Sequence, residues 1–144
     1  MKNTSLPISF VLNGIKNEQF AIFEENYTTD NPSEIKLGFE FKIDQTNRLV
    51  GVFIHCEYIQ ADKLLLKLIY SYQFKITPES WSNLQTEKMK IVLTKSFLAH
   101  LAMIATGTTR GIIFAKTEGT KLSNIMVPLI NVSEMIQADA IFDL

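Results

Sequence analysis

Between Glu34 and Ile76 the chain alternates apolar and polar residues through three consecutive stretches, and this pattern restricts the possible folds more than any other feature. Ile35, Leu37, Phe39, Phe41 and Ile43 alternate with Glu34, Lys36, Gly38, Glu40, Lys42 and Asp44. Strand side chains point to opposite faces in turn, so a period of two means one face against a core and one toward water. Val50, Val52, Ile54, Cys56 and Tyr58 repeat the pattern, as do Leu64, Leu66, Leu68, Tyr70, Tyr72, Phe74 and Ile76. A twisted antiparallel sheet with one buried face follows. Ile8 to Phe23 reads as an earlier strand, long and bent near Gly14, and Thr28 to Ser33, with Asp30, Asn31 and Pro32, reads as a loop.

Requiring the buried sets to share a face predicts the register. Phe41 then lies opposite Val52, Phe39 opposite Ile54 and Leu37 opposite Cys56, around a loop from Gln45 to Arg48. In the next hairpin Ile54 lies opposite Tyr70 and Val52 opposite Tyr72, around a loop from Ala61 to Lys63. On the other face Lys36, Glu57 and Lys67 line up, each opposite-charge pair worth ~0.2–1 kcal/mol. That face also carries Leu49, Phe53, Ile59, Leu65 and Ile69. Apolar residues set among charges on an outward face mark a candidate surface for an extended polypeptide, which lays alternate side chains across it.

After the sheet, Thr77-Pro78-Glu79 has the order of a helix start: a capping Thr, Pro at the first helical position, and an acid favoured by the dipole. A longer helix is expected from near Thr86. Met89, Val92, Leu93, Phe97, Leu101 and Ile104 form its stripe, widened by Ile91, Leu98, Ala102 and Ala105. So broad an apolar circumference needs more than one neighbour, and a second copy packed on Phe97, Leu98 and Leu101 is the expected other. Gly107 and Gly111 either end this helix or strain it on toward Lys116. Gly119 opens a crossover, Pro128 bars helix nearby, and Asn131 or Ser133 caps a final helix ending at Ile141-Phe142. The expected fold is a single α+β domain over residues 1–144: a four-stranded antiparallel sheet with one long and one short C-terminal helix packed on one face.

At 144 residues the chain is long enough to bury a core without disulfides or metal. The lone Cys56 sits in an apolar strand face and reads as a buried hydrophobe in a reducing compartment. Met1 to Ile15 is broken by Pro7, Ser9, Asn13 and Gly14, unlike a secretory leader, and no apolar run reads as a membrane span. A cytoplasmic location is expected. The net charge of −1 favours neither nucleic acid nor an anionic membrane. Lys88, Lys90 and Lys95, the last two on one side of the expected helix, have no aromatic platform beside them and read as a solvated face.

Catalytic constellations are absent from the pattern. His55 and His100 have no second ligand at metal spacing, and Cys56 faces away from its neighbour His55. Glu24-Glu25 reads as a solvated turn. Gly107-Thr-Thr-Arg-Gly111 lacks the Gly-Lys-Ser/Thr of a phosphate loop. No catalytic residue, metal or cofactor is expected. The rival reading is a small-ligand or catalytic α+β domain, with Tyr58, Tyr70, Tyr72 and a histidine converging on a pocket between sheet and helix.

At Thr109-Arg110-Gly111 and at Val127-Pro128-Leu129-Ile130-Asn131 the chain resembles the SecB-like family of export chaperones. In that family a long helix ends near an Arg-Gly, and a crossover leads to a Pro-containing stretch before a last helix. The order of elements is similar along nearly the whole chain. Leu129 and Val132 stand where the family has a second Pro and an aromatic, and the usual Pro-Asn-x-Pro is missing between Phe20 and Asn31. The resemblance implies an ATP-independent holdase for non-native polypeptides, assembled as a dimer of dimers. It further implies service either in protein export, with the export motor ATPase as partner, or to a dedicated client such as an antitoxin. Export members are strongly acidic; this chain is nearly neutral.

Overall fold

The structure, a computed structural model, describes residues 7–125 and 127–144. The single-domain expectation over 1–144 and the reading of Met1 to Ile15 as no leader include Met1 to Leu6, which lie outside the described residues, as does Met126.

The alternating stretches form strands β2 (Ser33–Asp44), β3 (Leu49–Gln60) and β4 (Lys63–Ile76). With β1 (Phe10–Ile22) they make a four-stranded antiparallel sheet in the order β1-β4-β3-β2. Phe41 pairs with Val52, Phe39 with Ile54 and Leu37 with Cys56, and Ile54 pairs with Tyr70 and Val52 with Tyr72. The second hairpin corrects the expected loop. Only Ala61 and Asp62 lie outside the strands, with φ of 50° and 63°, and positive φ at both central residues suits a tight primed turn. The residue thus released is absorbed in β4: Tyr58 faces Leu66, Ile59 faces Leu64, and Leu65 falls between them.

That bulge overturns one expectation. Leu65 is 0% exposed and belongs to the core with Leu66, because a bulged strand sets two residues against one and breaks strict alternation. Its carbonyl accepts a hydrogen bond from the Phe23 amide at 2.8 Å, tying down the end of β1. The row Lys36–Glu57–Lys67 is aligned as expected, yet among the described residues no two of the three come within ion-pair distance.

β1 is bent twice. Its pairing with β4 slips between Leu12 and Gly14 and again between Asn17 and Gln19, leaving Asn13 and Glu18 without partners. Glu18 accepts instead from the buried Ser71 hydroxyl at 2.9 Å.

The second half departs more from expectation. Helix α1 (Pro78–Leu84) starts as predicted, with the Thr77 hydroxyl accepting from the Ser80 amide. Residues Lys90–Leu93, expected in the long helix, are instead strand β5. Helix α2 runs from Lys95 to Thr117, capped by Thr94, so Lys90 and Lys95 share no helix face. Nor is there a long final helix: α3 is one turn, Val132–Met135, and Ala140–Asp143 forms strand β6 paired with β5. Ile91 and Leu93 are buried and Val92 is not, the signature of a strand; over four residues both periods fit, and the deciding partner lies 47–53 positions away. α2 continues through Gly107 and Gly111, and the hydroxyls of Thr106, Thr109 and Thr117 donate to carbonyls four residues back.

α2 packs on the sheet's inner face with Val52, Ile54, Tyr72 and Phe74 in the shared core. Phe97, Leu98 and Leu101, expected to meet a second copy, are buried in this chain's own core. By length and composition α2 would suffice to cross a membrane, contrary to the expectation that no run would; half of its apolar window is buried in the fold, as in a core helix.

Candidate functional site

The outer sheet face carries four of its five candidate residues. Leu49, Phe53, Ile59 and Ile69 are half-buried there. The Phe53 ring lies under the Lys42 ammonium, 4.6 Å from its centroid, and against Gly51. A Cβ on Gly51 would meet the Phe53 ring at 3.4 Å and the Gln73 amide oxygen at 3.1 Å, so the missing side chain leaves room for both. Glu40 sits 3.9 Å from Lys42 and 3.8 Å from His55. The result is a small apolar patch screened by charges.

A larger apolar surface lies on the other face, along β1. The Phe10 ring contacts Phe97 and His100 with centroids 5.7 and 5.8 Å apart, while the Lys116 ammonium lies 5.1 Å over Phe20. The two ends of α2 thus reach the two ends of β1 through side chains, while the helix backbone comes nearest β3. Between those anchors Leu12 is 42% exposed, Ile15 47%, Met103 54% and Phe114 57%. Met103, Gly107, Gly111 and Phe114 recur at spacings of four, four and three, which puts them on one side of α2. Sequence reasoning missed this face, although Met103 and Phe114 lie opposite the buried stripe at that same spacing.

A groove opens at the other edge, where the crossover after α2 passes the start of β2. Arg110 builds it: Nε donates to the Val127 carbonyl at 3.1 Å and Nη2 to the Pro128 carbonyl at 2.9 Å. Gln60 fixes the opposite wall. Its amide oxygen accepts from the Thr28 amide at 2.8 Å, and its Nε2 donates to the carbonyls of Thr28 and Asn31 at 2.8 and 2.7 Å. The groove has a volume of about 320 Å³, and Tyr27, Ser33, Ile35, Tyr58, Asn124 and Pro128 line it.

Tyr58 is 5% exposed, and its hydroxyl has no hydrogen-bond partner among the described residues. Burial pushes its pKa far up, with Cys56 adding to the rise and Arg110 opposing it, so the hydroxyl keeps its proton. Burial first, and then Glu57, pushes the Cys56 thiol up to about 12, which leaves it inert.

The pocket of the rival reading is not formed. Tyr70 and Tyr72 fill the core, with the Tyr72 hydroxyl bonded to Thr109. His55 is on the outer face beside Glu40 and His100 lies against Phe10, so neither histidine joins the tyrosines. Glu24 and Glu25 form a single 3-10 turn, and Gly107–Gly111 is helix rather than loop. Among the described residues no three of His, Cys, Asp and Glu gather at metal-binding distance.

No family model and no curated protein matches the chain. Among solved structures, the chain is similar to the Mycobacterium tuberculosis SecB-like chaperone Rv1957, in complex with a ChAD peptide from the HigA1 antitoxin. The TM-score is 0.52 and the identity 12%, over 85% of this chain and 86% of that one. A protein of unknown function from Streptococcus agalactiae matches with a TM-score of 0.43 and 14% identity, over 87% of this chain and 99% of that one.

Proposed function

We propose that this chain, which has the SecB-like fold, is a divergent SecB-like chaperone: a non-enzymatic holdase that binds non-native polypeptide without nucleotide. The observation that carries this reading is the junction at Arg110. The two stretches in which the sequence resembles the SecB-like family, Thr109–Gly111 and Val127–Asn131, are far apart in the chain yet meet through the Arg110 guanidinium and two carbonyls. Together they roof a groove at the sheet edge. That the similar Mycobacterium chaperone holds an antitoxin peptide favours a polypeptide ligand here too. A net charge of −1 offers little acidic surface for docking on an export motor, so a dedicated cytoplasmic client, of which an antitoxin is one kind, is the preferred role.

The client surface extends from that groove to the outer-face patch of Leu49, Phe53, Ile59 and Ile69. The second copy belongs at the opposite edge, on Leu12 and Ile15 of β1 and on Met103 and Phe114 of α2. All four are exposed apolar side chains, and Gly107 and Gly111 leave room for a close neighbour along that side of α2. A dimer, or a dimer of dimers, would cover it.

The direct test follows light scattering by insulin after reduction, with this protein at stoichiometric ratio and no nucleotide. Aggregation should be slowed, and added ATP should change nothing. Unaltered aggregation at fourfold excess, for insulin and for a second unfolded protein, removes the reading.

A further inference from the structure

We infer that Asn13-Gly14, in the first bulge of β1, is a self-modifying site: Asn13 deamidates there, and the carboxylate it gains weakens the pairing of copies at that edge. The effect on pairing rests on the second copy proposed above for β1; the modification itself does not. Deamidation starts when the backbone nitrogen of the next residue, having lost its proton, attacks the asparagine side-chain carbonyl. A bond forms from Gly14 N to Asn13 Cγ, the bond from Cγ to Nδ2 breaks, and ammonia leaves. Water then opens the cyclic imide, leaving aspartate or isoaspartate at position 13 and one new negative charge. Neither an enzyme nor a redox partner is needed.

The step goes fastest with an unhindered nitrogen, a free side chain and a loosened backbone. No other asparagine in the sequence precedes a glycine. Asn31 precedes Pro32, which has no N–H to give up. Asn124 and Asn131 precede Ile125 and Val132, whose branched side chains crowd the attacking nitrogen. The side-chain amides of Asn26 and Asn47 are held by the Leu64 carbonyl and the Asp44 carboxylate. Asn13, by contrast, is exposed and is the extra residue between the Leu12–Phe74 and Gly14–Gln73 pairs, where a bulge disrupts the ladder. A Cβ on Gly14 would meet nothing within 4 Å, so no neighbour packs against that side of it.

The bulge also sets the consequence. Asn13 makes no ladder pair, so the fold loses little from a charge or from the extra backbone carbon of isoaspartate. Asn13 follows Leu12 directly and lies two residues before Ile15, both exposed and both assigned to the second copy. Lys16, the nearest cation in sequence, already lies 3.8 Å from Glu18. A twofold interface takes the same patch from each copy, so one deamidation per chain brings two like charges into an apolar contact.

Peptide mass mapping of the full chain, held for days in mildly alkaline buffer, tests this. A gain of about 1 Da should appear at residue 13, with isoaspartate detected by an isoaspartate methyltransferase. Gly14→Ala, which the open space beside Gly14 admits, should slow the gain about ten-fold or more. Asn13→Asp, and wild-type protein aged to completion, should melt like fresh wild type yet associate about ten-fold more weakly by sedimentation. No gain at residue 13, or a gain seen only in urea, overturns the inference, since the folded ladder then protects the site. Complete deamidation with association unchanged also overturns it. A wild type that is monomeric throughout defeats the proposed assembly first, and the effect on pairing falls with it.

Discussion

The two edges of the sheet are built differently, and the difference suits the proposed division between assembly and capture. At β1 the strand is twice bulged, and Leu12 and Ile15 on its inner side are exposed and apolar. At β2 the strand is regular, its inner row is partly covered and its outer row is charged, so what it offers is backbone and pattern. Broad apolar area suits a permanent neighbour of fixed shape. A regular edge suits transient partners of varied sequence, because main-chain pairing is indifferent to most side chains. Which way an edge goes is decided by a few residues: Asn13 and Glu18 on one side, the unbroken twelve-residue ladder on the other.

The sharpest test of the β1 side sets the two faces of α2 against each other. Leu98 is buried in the chain's own core, so Leu98→Glu should cost about 3–5 kcal/mol and unfold the protein, an unpaired buried charge having no cheap solution. Met103→Glu, on the exposed face, should change monomer stability by only about 0.5 kcal/mol yet dissociate the assembly. Urea melts and sedimentation separate the two outcomes, and a Leu98→Glu variant that merely dissociates would return the interface to the buried stripe.

On the β2 side, Arg110→Ala removes two charge-assisted hydrogen bonds to the crossover. Denaturant melts should show a loss of about 2–3 kcal/mol. Client binding should weaken while the oligomer persists; loss of the oligomer with client binding intact would reverse the assignment of the edges. A milder perturbation reaches the buried groups behind β2. Burial raises the Cys56 pKa from 9.0 to about 12 and the Tyr72 pKa from 10.0 to about 12. Both groups keep their protons more tightly when folded than unfolded. Their contribution is therefore complete below pH 9 and is lost as pH rises from there toward 12. Thermal melts across that window should fall monotonically, and a flat profile would mean that solvent reaches these groups.

A small stability effect is also expected at Phe53. Phe53→Ser should cost about 1 kcal/mol, against about 3–5 kcal/mol for its neighbour Ile54→Ser, because only Ile54 is wholly buried. Equal losses would mean that the outer face is covered and is no client surface.

The meander from β2 to β4 was legible in the sequence because alternation is a local signal and both hairpins are short. Its errors, the loop drawn from Ala61 to Lys63 and the outward placing of Leu65, share one bulge, which alternation cannot announce when Leu64, Leu65 and Leu66 are identical residues. β5 was misread as helix because Ile91-Val92-Leu93 fits either period, and its partner β6 is distant in sequence. The stripe of α2 expected to meet a second copy, Phe97, Leu98 and Leu101, is filled by the chain's own core, and Met103 and Phe114 on its exposed side are too sparse to stand out in the sequence. The β2 edge could not be seen until the strand order was known.

Sedimentation velocity of the wild-type protein, alone and with carboxymethylated α-lactalbumin, tests the separation of the edges most directly. The account predicts an oligomer at micromolar concentration that gains the mass of the client without losing a subunit. A client that binds only by splitting the oligomer, or a protein that is monomeric throughout, would contradict it.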